Sequence, residues 1–269
     1  MTLSEIARST EQLQRKLITV ASGKGGVGKT WLAISLAHRL ARAGRRVLLF
    51  DGDLGLANVD IQLGLAPERD LGDVISGRLS IREAVTRYDE EDFGQGALDV
   101  LAGKSGSGAL GRLSQEALMA LREGLILVAA DYDHVILDLA AGIDPSVLSL
   151  SRHKGRILAV MTPDPTSLTD VYAFIKLTVQ RLPDADIRIV VNMAQSRREG
   201  ERSYGSLRKV CQTFLKTDPP LAAILRADRK VQDAIRHQTP LLARHPQSEA
   251  AEGIGELART LGQDMPLAV

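Results

Sequence analysis

Cysteine is nearly missing from this chain, since Cys211 is the one cysteine among 269 residues. A single thiol excludes an intrachain disulfide framework and a metal cluster held by the cysteines of one chain, and it fits a reducing compartment. No window approaches the roughly 20 apolar residues of a membrane-spanning helix. Residues 1–16 carry charges throughout, unlike a signal peptide. We therefore expect a cytoplasmic protein.

An excess of charge of one sign is also lacking. The chain has 34 lysines and arginines and 33 aspartates and glutamates, for a formal net charge of +1. The field of the whole molecule therefore favours neither nucleic acid nor an anionic membrane. Glutamates interrupt the most basic stretch, residues 197–202 with Arg208 and Lys209, so we predict a solvated loop and helix face there. The five histidines show no zinc-ligand spacing.

Short apolar runs divide the chain, and they are mostly continuous rather than alternating. Strands buried on both faces have this pattern, as in a parallel sheet covered by helices. Segments with helical spacing separate the runs, which predicts right-handed βαβ units. The predicted strands are residues 17–21, 47–50, 135–137, 157–161 and 187–191, and the predicted helices are residues 30–43, 114–130, 167–181, 204–215 and 228–237. We predict an α/β fold with a doubly wound, mainly parallel sheet.

The chain shows no repeat or linker, so we predict one domain over residues 17–269. Residues 1–16 are predicted to be an N-terminal extension. Leu3, Ile6 and Leu13 can share one face of a helix, and a frayed tail is the alternative. The glycine- and serine-rich residues 103–111 are short enough to be one loop.

A phosphate-binding loop follows the first predicted strand and opens the next helix. It matches the pattern G-x-x-x-x-G-K-[ST], whose glycines let backbone N–H groups surround phosphates. The lysine reaches the β- and γ-phosphates and the hydroxyl ligates Mg²⁺. The loop consists of Gly23, Lys24, Gly25, Gly26, Val27, Gly28, Lys29 and Thr30. We therefore predict a P-loop hydrolase that binds a nucleotide and Mg²⁺. Residues 192–195 lack the N-K-x-D pattern expected of a GTPase, which favours ATP. Trp31 follows the loop, with helix packing favoured over a contact with the nucleotide or the dimer partner.

Carboxylates follow two of the predicted strands. Asp51 and Asp53 come after residues 47–50, and Asp138 comes after residues 135–137. Ligands bind at the carboxyl ends of parallel strands. In a chain with a P-loop, an apolar strand that ends in aspartate is a Walker B arrangement. Thr30, Asp51 and Asp138 are thus the predicted metal-site residues, and turn-forming aspartates are the alternative for Asp51 and Asp53.

Residues 24–30 resemble the deviant Walker A motif of the MinD/ParA group of ATPases. The resemblance implies that Lys24 reaches across an ATP-bound homodimer to the partner's nucleotide. It also implies that Asp53 in switch I helps to position the attacking water. Lys24, Lys29 and Asp53 are therefore the predicted catalytic residues. By the same resemblance, Asn192 bonds the adenine edge, and the segment containing Asp228 packs beside the base.

Further stretches resemble the FlhG/FleN branch, the MinD-like regulators of flagellar number and placement. They are residues 53–60, 140–143, 164–173 and 191–194. The resemblance implies a slow, partner-stimulated ATPase whose dimer binds a flagellar regulator or a basal-body component. It also implies recruitment to a cell pole.

Two departures from the family pattern stand out. Leu139 occupies a position where relatives have a small hydroxyl-bearing residue, which affects the switch II hydrogen bonds and the hydrolysis rate. The tail, residues 257–269, has the single cation Arg259 and lacks the basic amphipathic helix of many relatives. It is too short and too weakly basic for stable interfacial binding, so we expect no strong autonomous membrane attachment.

Three other function classes are alternatives to a flagellar regulator. A ParA-like ATPase that segregates DNA or cargo is the main alternative, although the near-zero net charge makes nucleic-acid binding unfavourable. Electron transfer or cluster assembly would need cysteines beyond the one that each subunit carries. A purely structural or polymer-forming role would follow if Leu139 abolished hydrolysis.

Overall fold

The computed structural model describes residues 3–53, 55, 57–103 and 113–263. Several predictions fall partly beyond these ranges. Leu54 and Leu56 of the stretch after the second strand, most of the glycine- and serine-rich loop, and residues 264–269 of the tail lie outside the described residues.

An eight-stranded sheet in the order β3-β4-β2-β5-β1-β6-β7-β8 forms the centre of the molecule. All neighbouring strands pair in parallel except β3 and β4. The strands are β1 (Leu17–Ser22), β2 (Arg46–Gly52), β3 (Thr86–Tyr88), β4 (Ala97–Leu101), β5 (His134–Ala141), β6 (Arg156–Met161), β7 (Asp186–Ala194) and β8 (Leu221–Arg226). The predicted α/β fold with a mainly parallel sheet is confirmed.

Helices cover both faces of this sheet. They are α1 (Leu3–Arg15), α2 (Lys29–Arg42), α3 (Val59–Leu63), α4 (Leu71–Ile75), α5 (Ile81–Ala84), α6 (Gln115–Val128), α7 (Pro145–Leu150), α8 (Pro165–Arg181), α9 (Arg197–Val210), α10 (Arg229–Arg236), α11 (Leu241–Arg244) and α12 (Glu249–Gln263). Short helical turns occur at Glu91–Phe93, Ala129–Asp131 and Cys211–Leu215.

Successive residues of the central strands enter two different cores. Leu17 packs in the core that contains Phe174 of α8, whereas Ile18 packs in the core that contains Leu36 of α2. Both strand residues are fully buried. This division explains the continuous apolar runs, because alternate side chains of each strand need an apolar neighbour on opposite faces.

The sequence prediction missed β3, β4 and β8. Strand β4 contains Asp99, which breaks the apolar run. The structure compensates by pairing this carboxylate with Arg87 of β3 and with the Tyr132 hydroxyl at 2.8 Å. A buried carboxylate with such partners is tolerated in a strand.

Helix α9 begins at Arg197, seven residues before the predicted start, and this prediction of the boundary was wrong. Ser196 caps the helix by accepting the Glu199 N–H at 3.2 Å, while the Glu199 carboxylate accepts the Gln195 N–H at 2.6 Å. The S-x-x-E spacing is the sequence signal of a helix start.

Both ends of the described chain are helical. The N-terminal segment forms α1, so the structure favours the helix over the frayed tail. Residues predicted as a tail from 257 onward begin inside α12, where Leu257 and Leu261 are fully buried. The part of this segment up to residue 263 is therefore a helix packed on the core, and the expectation of no strong autonomous membrane attachment stays a prediction. None of the described helices is long and apolar enough to cross a membrane.

Candidate nucleotide-binding site

The P-loop connects the carboxyl end of β1 to the start of α2. Gly28 precedes the helix with φ +86°, and a Cβ atom there would lie 2.5 Å from the Asn192 amide nitrogen. Glycine is therefore required for both conformation and space. The Leu32 N–H donates to the Gly28 carbonyl at 3.1 Å at the start of α2. Preceding N–H groups at a helix start have no such partner and form an anion site.

Lys29 is buried at the floor of this loop, with 9% exposure. Burial lowers the pKa of Lys29, while the charges of Asp138 and Asp53 act in the opposite direction. A lysine placed among carboxylates and helix N–H groups is suited to hold a phosphate chain. This is the arrangement that the P-loop pattern predicts.

Two buried carboxylates face the start of α2 from neighbouring strands. Asp51 of β2 and Asp138 of β5 are register partners in the sheet. Burial, and then the charge of Asp51, raises the pKa of Asp138 to about 8, against a hydrogen bond from Thr30. Burial also raises the pKa of Asp51 to about 6. Such a pair is unfavourable in the absence of a cation.

The donor set fits a magnesium ion bound with a nucleotide. The Asp138 Oδ1 atom is buried and has no hydrogen-bond partner among the described residues. Within the described ranges, no group of three or more His, Cys, Asp or Glu side chains could hold a metal by itself. Mg²⁺ bound through one or two carboxylates, a hydroxyl, water and phosphates needs no larger protein cage. Asp138 and Thr30 are the residues that would hold it.

Asp51 and Asp53 differ in their surroundings. Asp51 accepts the N–H groups of Asn58 and Val59, both at 3.0 Å, and that of Asp53 at 3.2 Å. It therefore supports the loop that carries Asp53. The Asp53 carboxylate is half-buried and accepts the Gly55 N–H at 3.2 Å. The metal-site role predicted for Asp51 and the water-positioning role predicted for Asp53 stay predictions.

Lys24 is exposed on the outer side of the P-loop. Its Nζ atom donates to the Thr166 hydroxyl at 2.6 Å and to Asp164 Oδ2 at 3.1 Å. The two P-loop lysines thus have different environments: Lys29 is directed inward, and Lys24 is held at the surface by the start of α8. Asp164 and Thr166 belong to the family-like stretch 164–173, but the sequence predicted no contact of either with Lys24, although the Asp-Pro-Thr run before a helix is a capping signal.

A cavity of about 380 Å³ lies beside the P-loop. Its other walls come from the segment after β6, the end of β7 and the start of α9, including Pro163, Met193 and Glu199. Met193 has φ +58° and lines the cavity, whereas the Asn192 side chain donates to the Val27 carbonyl at 2.8 Å and accepts the Met193 N–H at 2.9 Å. The Asn192 side chain therefore holds the P-loop against the end of β7. Its contact with the adenine base stays a prediction.

Asp228 and Trp31, the other two residues predicted to contact the nucleotide, have structural roles in this fold. Asp228 caps α10 by accepting the Lys230 N–H at 2.9 Å and lies at the carboxyl end of β8. Trp31 is 6% exposed and packs in the core between the sheet and α2. Leu139 is likewise a core residue, with 1% exposure. Its burial explains how an apolar side chain is accommodated directly after Asp138.

A protein-family model matches the part of the chain that contains the P-loop, the buried lysine and the strand-end carboxylates. The CobQ/CobB/MinD/ParA nucleotide binding domain matches residues 18–241. The chain belongs to the MinD/ParA family of ATP-binding ATPases. The resemblance predicted from residues 24–30 is thereby confirmed.

Similarity to individual proteins points to one branch of this family. The chain is 37% identical over 236 residues to the antiactivator FleN of Pseudomonas aeruginosa, covering 88% of this chain and 82% of that protein. It is 30% identical over 200 residues to the flagellum site-determining protein YlxH of Helicobacter pylori, covering 73% and 64%. A solved MinC:MinD cell division protein complex from Aquifex aeolicus matches with a TM-score of 0.74 at 25% identity, covering 94% and 98%. The predicted resemblance to the FlhG/FleN branch is also confirmed.

Proposed function

We propose that this protein is an ATP-driven switch that dimerises around two nucleotides and controls flagellar number or placement through the dimer. The observation that carries the proposal is the separation of the two P-loop lysines. Lys29 is buried beside Asp138 and supplies the cation of its own site. Lys24 is at the surface and is available to a second copy once its contacts with α8 are released.

Residues 17–269 would form the ATPase domain that hydrolyses ATP, and residues 1–16 would be an extension of it. Bound Mg²⁺ would neutralise charge on the β- and γ-phosphates. Lys29 and the N–H groups at the start of α2 would hold those phosphates. Asp53 would orient the attacking water, and the partner's Lys24 would stabilise charge that develops on the leaving oxygen. Because catalysis consists of positioning and charge stabilisation, slow turnover that a partner accelerates is expected.

Flagellar control is supported by the relatives. FleN is named an antiactivator, YlxH a flagellum site-determining protein, and the solved MinD is bound to MinC. We propose that the ATP-bound dimer of this chain likewise binds a protein, either a flagellar transcriptional regulator or a basal-body component. A dimer presents a surface that the monomer lacks, so the nucleotide state would control this binding.

The experiment is a measurement of molecular mass in solution with Mg-ATP and with Mg-ADP. We expect a dimer with Mg-ATP and a monomer with Mg-ADP. Asp53→Ala should make the dimer persist because hydrolysis is lost, whereas Lys24→Ala should prevent its formation. A mass that is the same with both nucleotides, although ATP binds, would contradict the proposal.

Flagellar control is tested separately in cells that lack the gene. Flagella are counted and mapped after complementation with wild type, Asp53→Ala and Lys24→Ala. If the dimer is the regulatory form, the two variants should change flagellar number in opposite directions. Complementation by all three proteins to the same number would contradict the assignment.

A further inference from the structure

A second cavity lies at the edge of the sheet where the parallel strands begin, opposite the P-loop. It measures about 840 Å³, within the usual range for small-molecule sites. Helices α1, α2 and α12 form its walls, and the starts of β5 and β6 form its floor. Strand β1 has six residues, so the two edges are roughly 20 Å apart at 3.3 Å per residue. This cavity is therefore not part of the nucleotide site.

The lining of the cavity has more positive charge than its own acids neutralise. Arg39, Arg45 and Arg259 line it, and none of them forms an ion pair or side-chain hydrogen bond within the part of the chain that the structure describes. Of the two lining acids, Asp186 pairs with Arg188 at 2.9 Å, whereas Asp133 accepts the Arg46 N–H at 2.8 Å and keeps its charge. Asp133 can offset one of the three guanidinium charges, so at least two remain for an outside anion.

His134 supplies a second observation, independent of the arginines. It lines the cavity, is 5% exposed, and its Nδ1 atom has no hydrogen-bond partner among the described residues. Burial lowers the pKa of His134 to about 4, and although Asp133 opposes this, Arg45 and Arg156 lower it further. A buried polar atom without a partner is costly unless a ligand or water satisfies it.

We propose that this cavity binds a phosphate group of a small molecule between the N-terminal helix and the C-terminal helix. Guanidinium groups match the geometry of phosphate oxygens and bind them with charge-assisted hydrogen bonds. Leu13, Leu40 and Ala258 provide apolar lining for the rest of the molecule. The site is concave with a buried floor, which suits a free phosphate compound better than the headgroups of a membrane surface. Occupancy would tie α1 to the ATPase domain.

The test follows the ring signals of His134 by NMR in full-length protein saturated with Mg-ADP, so that the P-loop is occupied. A His134→Gln variant assigns the signals. Inorganic phosphate, added at constant ionic strength, should shift them saturably. Arg39→Gln/Arg45→Gln/Arg259→Gln should weaken that binding by about tenfold or more, since each lost charge-assisted bond contributes more than a neutral one. The matched control removes three arginines elsewhere, Arg197→Gln/Arg198→Gln/Arg202→Gln, and should bind as wild type.

If the triple variant does not fold, Arg259→Gln alone serves, because that side chain is exposed and its loss should still weaken binding measurably. Vesicles of phosphatidylglycerol and phosphatidylcholine distinguish the source of the phosphate. Arginine-dependent binding to these vesicles would assign the site to a lipid headgroup, and its absence beside phosphate binding would assign it to a soluble compound. No saturable shift with phosphate and no arginine-dependent binding to vesicles would overturn the proposal.

Discussion

The carboxyl and amino edges of this sheet carry clusters of side chains of opposite charge. At the carboxyl edge, Asp51 and Asp138 are buried together, and Lys29 and a helix start adjoin them. At the amino edge, Arg39, Arg45 and Arg259 line one cavity with the buried His134, and none of the three forms an ion pair among the described residues. The first arrangement needs a cation and a phosphate chain, whereas the second needs an anion alone. The strands therefore separate a carboxylate-lined edge from an arginine-lined edge within one sheet.

The largest effect is expected from Gly28→Ala at the carboxyl edge. The new Cβ atom would meet the Asn192 side chain at 2.5 Å in a backbone with positive φ. We expect ATP affinity to fall by about 100-fold or more because the phosphate-binding N–H groups would be displaced. Isothermal titration calorimetry measures this. Gly44→Ala is the control, since Gly44 also has positive φ but open space around it. It should cost about 1 kcal/mol of stability and leave ATP affinity unchanged; equal losses in both variants would refute the steric argument.

The second-largest effect is expected from Asp138→Asn, which should lower the hydrolysis rate but raise the stability of the protein. The change removes a buried carboxylate whose Oδ1 atom has no hydrogen-bond partner within the part of the chain that the structure describes. We expect nucleotide-free protein to gain about 1–3 kcal/mol of unfolding free energy, because a neutral amide is less costly to bury. Phosphate release with Mg-ATP should fall by about 100-fold or more. Denaturant unfolding and a phosphate-release assay test the two parts, and unchanged hydrolysis would exclude Asp138 from the metal site.

A third prediction concerns acid stability near the amino edge. His153 Nδ1 accepts the Gly155 N–H at 3.0 Å, so the neutral ring donates from Nε2 to the Thr19 hydroxyl at 2.7 Å. Burial lowers the pKa of His153 to about 3. The unfolded chain therefore binds more protons than the folded one between pH 6.5 and 3, and stability falls as the pH drops through that window.

His153→Asn should remove part of this pH dependence. We expect a loss of about 1–2 kcal/mol at pH 7 from the missing hydrogen bond, but a smaller further loss than wild type on going to pH 4.5. Thermal unfolding at both pH values gives the comparison. Parallel pH profiles for the two proteins would show that His153 does not contribute to acid sensitivity.

The smallest effect is expected from Asp164→Asn, which weakens the surface contact of Lys24. The amide keeps an oxygen for the Thr166 N–H, so the cap of α8 is retained. Because the ion pair is exposed, its loss should tighten the Mg-ATP dimer by less than about fivefold. Sedimentation equilibrium measures the dimer constant. A weaker dimer would mean that Asp164 contributes to the interface rather than restraining Lys24.

The carboxyl edge could be predicted from the sequence because its parts are contiguous. The P-loop is one segment of eight residues, and the aspartates directly follow apolar runs. Five of the strands and the mainly parallel sheet followed from the same runs. The contacts of Lys24 with Asp164 and Thr166 could not be predicted, because they join segments about 140 residues apart.

The amino edge gave no comparable signal. Its arginines come from α2, the following turn and α12, and each is an ordinary surface cation in its own segment. Only the fold brings them around His134. Strand β4 was missed for a related reason, since Asp99 is explained by partners from other segments, Arg87 and Tyr132.

The central claim, that Lys24 acts on the nucleotide of a second copy, is tested most directly by mixing two inactive variants. Lys24→Ala keeps Asp53, and Asp53→Ala keeps Lys24, so a mixed dimer has one complete site if the lysine acts across the dimer. We expect each variant alone to release phosphate at background level and the mixture to exceed that background. About a quarter of wild-type activity is the upper limit, which random pairing in a symmetric dimer would give. The mixture should stay below that limit because the loss of Lys24 from one subunit weakens dimer formation. A mixture that stays at background, although mixed dimers form, would contradict the account.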